Sequence, residues 1–154
     1  MGALEASLKS SGALTVTAQN VTFPTTQLTG GSATIQGTTT DWVVDDLSDL
    51  GAGWHLTVAA TDIVNGTHLI PVGNLAMRLL NTDISVLSGN TPPAVVPLFA
   101  NFTSLGSAQT FASAGVGEGM GSYSLSPTFQ LFLPADAYAG TYSATVTVTI
   151  VDGP

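Results

Sequence analysis

Few side chains in this sequence are suited to acid–base or nucleophilic chemistry. The 154 residues include two histidines, His55 and His68, and only two other cations, Lys9 and Arg78. His55 lies on the outward side of an alternating segment, where a solvated or hydrogen-bonded imidazole is the ordinary role. Cysteine is absent, and no Gly-x-Ser-x-Gly motif occurs. We therefore expect no enzymatic activity and no cofactor.

Four aspartates occupy a short stretch: Asp41, Asp45, Asp46 and Asp49. Their carboxylates are close enough in sequence to surround one hard cation such as calcium. The spacing lacks the Asp-rich run and the closing glutamate of an EF-hand. A solvated acidic loop whose Asp side chains cap turns is the favoured interpretation, and a metal site is the alternative.

The stretch from Gly115 to Gly121 (GVGEGMG) carries a glycine at every second position. A phosphate-binding loop would be followed by Lys-Ser/Thr and a helix, and neither follows here. We interpret the glycines as a loop whose backbone needs positive φ or close approach.

Composition excludes several classes of partner. The formal net charge is −8, with only 8% charged residues, so there is no basic surface for nucleic acid or anionic lipid. No stretch reaches the roughly 18 apolar residues of a membrane span, which predicts no membrane insertion. Residues 1–5 lack the basic and apolar regions of a signal peptide, so a signal is either absent or already removed.

Short apolar segments separated by frequent turn signals predict an all-β fold. The clearest strand is 141–151, in which alternate residues form a predicted core face and a threonine face. A second strand, 54–60, points Trp54, Leu56 and Val58 inward. Further strands are predicted at 14–17, 33–36, 42–44, 75–80, 84–87, 95–99, 110–112 and 128–133. We predict a single-domain antiparallel β-sandwich or flattened barrel of roughly nine or ten strands over 13–154, after a flexible N-terminal arm over 1–12.

Three segments carry a family resemblance. Residues 45–56 form an acidic, Gly-rich approach to Trp54-His55-Leu56, residues 117–121 are Gly-rich, and residues 139–154 contain Tyr142 and Thr147. Together they resemble the WxL domain of Gram-positive bacterial surface proteins, with its Trp-x-Leu signature and its distal motif Tyr-x-x-x-Leu-Thr-Trp-x-Leu. The sequence departs from the distal motif at Val146 and Ile150, in place of leucines, and at Val148, in place of the second tryptophan.

The resemblance implies an exported, non-catalytic domain at the bacterial cell surface. It would associate non-covalently with the cell wall, through peptidoglycan, or with surface proteins. The matched signature positions are Trp54 and Leu56, with Tyr142, Val146, Thr147, Val148 and Ile150 as the distal set. The alternation favours a core role for Trp54 over ligand stacking. Trp42, at a predicted strand start beside Asp41, is the better candidate for an exposed aromatic that contacts a ligand.

The alternative function is a self-assembling structural subunit of an extracellular filament or layer. Sheet edges are usually protected by lysine, and this chain contains a single lysine. Residues 6–18 could add as a strand to a neighbouring subunit, with Leu4, Leu8, Leu14 and Val16 filling pockets there.

Overall fold

The computed structural model describes residues 12–91 and 94–154, and within these ranges the chain forms fifteen strands and two short 3-10 turns. The strands are β1 (Leu14–Thr17), β2 (Val21–Thr22), β3 (Ala33–Thr39), β4 (Trp42–Asp46), β5 (Trp54–Ala60), β6 (Ile63–Asn65), β7 (His68–Ile70), β8 (Leu75–Arg78), β9 (Ile84–Gly89), β10 (Val96–Pro97), β11 (Thr103–Ser104), β12 (Gln109–Ala114), β13 (Gly121–Leu125), β14 (Thr128–Leu133) and β15 (Val146–Asp152). The all-β prediction is confirmed. The predicted number of strands is too low, because β13 and four strands of two or three residues add to it.

Three pairs of consecutive strands, β3 with β4, β8 with β9 and β13 with β14, lie side by side along the molecule and form one long ribbon. β4 pairs with β13, and β3 then pairs with β14; β9 and β8 pair with the other side of β13 and β14. One half of the ribbon, with β1 beside β4, is the upper sheet, in the order β1-β4-β13-β9. The other half is the lower sheet, in the order β11-β8-β14-β3-β2.

A second layer, the facing sheet, has the order β10-β12-β5-β15. Its aromatic side chains meet those of the ribbon: the Trp42 and Phe111 ring centroids are 6.2 Å apart, and those of Trp54 and Tyr123 are 6.4 Å apart. The β6–β7 hairpin continues from the end of β5. In the part of the chain that the structure describes, the sheets keep open edges and form a sandwich rather than a closed barrel.

Strict alternation explains why these residues form a two-layer core. In β5, Trp54, Leu56 and Val58 are buried while the residues between them are partly exposed. In β4, Trp42 and Val44 face the same core. Because successive side chains of a strand point to opposite faces, each strand contributes one apolar row to the interior.

The last strand is shorter and less buried than predicted. β15 begins at Val146, preceded by a bridge between Ser143 and Val64. Its inward residues Val146, Val148 and Ile150 are only half-buried, because β15 is an edge strand beside an opening in the sandwich. The predicted N-terminal arm lies outside the described residues except for Gly12, whose N–H donates to the Leu47 carbonyl.

Candidate functional site

Parts of all three segments of the family resemblance meet at one end of the molecule, which we call the signature end. The Trp54 indole is fully buried, and its Nε1–H donates to the Gly119 carbonyl at 3.0 Å. β15 lies directly beside β5, with Val148 opposite Val58 and Ile150 opposite Leu56. These segments therefore form one packed unit, in which Trp54 is a core residue, as its alternation predicts.

The glycine-rich loop is shaped to cover Trp54. Gly119 has φ of 69°, and a Cβ there would stand 2.3 Å from the Ala114 Cβ and 2.7 Å from the Trp54 Nε1. Gly117, at φ of 78°, has open space around it. The interpretation of this loop as one that needs positive φ and close approach is confirmed.

Trp42 is not the exposed aromatic that we predicted. Only 1% of its surface is accessible, and its indole N–H donates to the Gln19 carbonyl at 3.0 Å and to the Thr39 hydroxyl at 3.1 Å. β4 turns Trp42 to the same side as Val44, towards the Phe111 and Phe129 rings. The prediction is wrong because Trp42 is in phase with the core residues of its strand.

The aspartates of the acidic stretch do not converge. Asp45 and Asp46 point to opposite faces of β4, where Asp45 accepts from the Ser122 hydroxyl and Asp46 from the Ser48 hydroxyl. Asp41 lies at the other end of β4 and accepts from Ser126. Within residues 12–91 and 94–154 no group of three or more metal-ligating side chains occurs.

Among the described residues, Asp41 and Tyr123 have shifted pKa values, and structural contacts account for both shifts. Hydrogen bonds from the Ser126 and Ser124 hydroxyls lower the pKa of Asp41. Burial raises the pKa of the Tyr123 phenol, and the negative charge of Asp46 adds to that rise. The Tyr123 hydroxyl donates to the carbonyls of Asn90 and Met120, which fixes it in a structural position.

The two histidines also have structural partners. His55 Nδ1 lies 2.7 Å from the Gly153 carbonyl oxygen, close to the signature end. The His68 ring stacks on the Tyr138 ring, with centroids 3.8 Å apart and planes 11° apart. The arrangement ties His68, on β7, to the segment that precedes β15.

A groove lies at the end opposite the signature end. It has a volume of about 1050 Å³ and lies between residues 19–28 and residues 137–146. Its floor is apolar and is built mainly by the lower sheet and the β6–β7 hairpin: Ile35, Ile63, Ile70, Leu75, Phe129, Leu131 and Leu133. The groove exists because β15 and the edge of β3 leave the lower half of the sandwich open.

Each wall of the groove is held by specific contacts. On one side, the Phe23 ring lies against Gly37, where a Cβ would be only 2.9 Å from the ring. On the other side, Ser143 and Val64 exchange two backbone hydrogen bonds of 2.9 and 3.0 Å. The Tyr142 hydroxyl donates to the Tyr138 carbonyl, which orders the approach to β15.

The chemistry of the groove suits an uncharged, partly apolar ligand. Among the described residues that line it, none is Asp, Glu, Lys, Arg or His. Its rim carries amides, such as Gln19, Asn20 and Gln27, and hydroxyls, such as Thr25. Tyr138, at one edge, is 62% exposed; one face of its ring stacks on His68, and the other face is a candidate stacking surface.

This groove was not predicted from the sequence. Of the predicted signature residues, the groove includes Tyr142 and Val146, while Trp54 and Leu56 lie in the core. Val148 and Ile150 lie further along β15, half-buried, and Thr147 is exposed on its outer face. The two walls are more than a hundred residues apart in sequence, so no local pattern marked them as partners.

The chain matches no protein-family model, no curated protein and no solved structure. The resemblance to the WxL domain therefore stays a prediction. Across the described ranges, no helix has the length and apolar character needed to cross a membrane.

Proposed function

We propose that this chain is a non-catalytic domain of the bacterial cell surface that associates non-covalently with the cell wall, through peptidoglycan, or with proteins there. The observation that carries the proposal is the groove, which is open to solvent and lined by uncharged side chains. Aromatic rings and amides at its rim are the groups that stack on and hydrogen-bond to sugars. The meeting of the three signature segments at one end supports treating them as one domain.

A wall-binding assay tests this function. The full chain is mixed with purified peptidoglycan and sedimented, and we expect it to be recovered in the pellet. Tyr138→Ala removes the exposed ring of the groove edge and is expected to weaken binding about tenfold, since stacked rings contribute on the order of 1 kcal/mol or more. Leu87→Ala, which removes an exposed side chain on the distant strand β9, is the matched control.

Two results would count against wall binding through the groove. The full chain staying in the supernatant at every wall concentration would remove the proposal. If Tyr138→Ala and Leu87→Ala weaken binding to peptidoglycan equally, the wall is not bound through the groove.

A second candidate function is a structural subunit that assembles with copies of itself. The specific observation is that β15 pairs with β5 alone, so its other edge is unpaired among the described residues. β3 is covered by β2 only at Thr38 and Thr39. Unprotected edges are templates for strand addition. Negative-stain images of the purified full chain test this candidate, with fibres or layers as the expected result and isolated particles as the contrary one.

A further inference from the structure

We propose that the groove receives residues 3–9 of a second copy of this chain as an added β-strand, joining the copies head to tail. The inference rests on the second function proposed above, self-assembly. It names the acceptor surface, the donor segment and the polarity of the assembly.

The wall of the groove at residues 142–146 has main-chain groups that pair with no other described residue. The backbone of Ser143 is bonded to Val64, and the carbonyl of Thr145 accepts from the N–H of Thr61. Because backbone groups alternate sides along a strand, those of Ala144 and Val146 point away from β5 and β6, towards the opening. A strand laid there would gain main-chain hydrogen bonds, the basis of affinity in strand addition.

The floor of the groove requires every second residue of such a strand to be apolar. Ile35, Leu131 and Leu133 face it from the lower sheet, and Ile63 and Ile70 face it from the β6–β7 hairpin. An uncharged floor made mainly of aliphatic side chains can accept the alternating apolar side chains of a peptide strand.

Residues 3–9, Ala-Leu-Glu-Ala-Ser-Leu-Lys, have the required pattern. Leu4, Ala6 and Leu8 stand on one side of an extended segment, with Glu5 and Lys9 on the other. The charges of Glu5 and Lys9 would face solvent, so they need no partner in the uncharged groove. The segment precedes Gly12, and the pairing of β1 with β4 begins after it, at Leu14.

The polarity of the assembly follows from the positions of Gly12 and the groove at opposite ends of the ribbon. Gly12 is bonded to Leu47 at the signature end, whereas the groove lies at the other end. Ile35 is eleven positions along the ribbon from Asp46, about 36 Å at 3.3 Å per residue. Val146, the nearest point of the acceptor edge, is six positions along β15 from Asp152 at the signature end, about 20 Å. Leu8 is four residues from Gly12 and reaches only about 14 Å when extended, so a strand over residues 3–9 falls short of this edge in its own molecule.

A donor at one end and an acceptor at the other make a heterologous contact that does not close on itself. Such contacts repeat along an open filament unless a rotation closes a ring. The structure thus favours a second copy over the chain's own segment as the occupant.

The test uses the full chain and two complementary lesions. Leu4→Asp with Leu8→Asp places carboxylates where the donor must be apolar, and Ala144→Arg places a bulky cation at the exposed edge of the acceptor. Matched controls are Ser10→Asp with Ser11→Asp, outside the donor strand, and Thr149→Arg, on the outer face of β15. Analytical ultracentrifugation across a concentration series gives the mass distribution, and circular dichroism checks that each variant is folded.

We expect concentration-dependent polymers from the full chain and from both controls. Each lesion alone should raise the concentration needed for assembly about a hundredfold. The donor lesion would bury carboxylates in the apolar groove, and the acceptor lesion would block the edge at which the donor pairs. Mixing the two lesions should give a 1:1 complex that grows no further, since only one donor and one acceptor remain intact.

Several results would overturn the inference. Polymers that persist in both lesions would place self-assembly on another surface. If the full chain is monomeric and the double change Leu4→Asp with Leu8→Asp lowers its melting temperature, the segment occupies the groove of its own molecule. A monomeric full chain that sediments with purified peptidoglycan would leave wall binding standing and remove strand addition, and a monomer that does not sediment would remove both functions.

Discussion

Replacing Gly119 with alanine is expected to destabilise the protein more than the same change at Gly117. Both residues have positive φ, so alanine costs about 1–2 kcal/mol at either position. At Gly119 the new Cβ would also stand 2.3 Å from the Ala114 Cβ, and the loop must move to relieve the clash. Overpacking of this kind typically costs a further 1–3 kcal/mol, and movement of the loop weakens the bond from the Trp54 indole.

Urea unfolding followed by tryptophan fluorescence measures the difference. Both tryptophans are buried, so unfolding exposes them together and gives a clear signal. Gly119→Ala should be less stable than Gly117→Ala by about 1–3 kcal/mol, which lowers its melting temperature by a further 2–4 °C for each kcal/mol in a chain of this size. Two variants equal within about 0.5 kcal/mol would refute the idea that the loop is shaped around Trp54.

Three other changes probe the core and its titrating groups. Trp42→Ala should cost about 3–5 kcal/mol in the free energy of unfolding, because it empties a buried site; a loss below about 1 kcal/mol in thermal melts would contradict the burial. Since the pKa of Tyr123 is raised in the folded state, its stabilising effect is complete below about pH 10 and lost as the pH rises through the folded pKa. Tyr123→Phe should therefore lose stability less steeply above pH 10 in chemical denaturation, and identical slopes would be the contrary result. Ser126→Ala should move the pKa of Asp41 up towards its ordinary value in a carboxyl NMR titration, and an unchanged pKa would show that Ser126 does not lower it.

Two strands with an alternating pattern were predicted within their exact bounds, whereas the alternating stretch 141–151 forms a strand only from Val146. The predicted bounds of β5, 54–60, and β14, 128–133, match the structure, and so does the inward side of Trp54. In these strands the pattern of apolar residues alone fixes which face is buried. The positive-φ role of the glycine-rich loop was also predictable, because glycine is the residue that adopts such backbone without strain.

Features that depend on distant partners were not predictable from local pattern. The strands β2 and β11, two residues each, exist only because β3 and β8 pair with them. Trp42 was misjudged because the neighbouring Asp41 suggested a surface, whereas its phase with Val44 decided its burial. The groove depends on segments near residues 23 and 142 meeting across the open side of the sandwich.

The order in which strands join the facing sheet bears on how the chain reaches its native state. At the signature end, β5 sits between β12 and β15, so strands that begin at Trp54, Gln109 and Val146 must come together there. Folds dominated by such distant pairings have high contact order and fold slowly, in milliseconds to seconds. A nascent chain that has not yet synthesised β15 lacks one of the two partners of β5, so that edge of β5 stays unpaired until β15 is made.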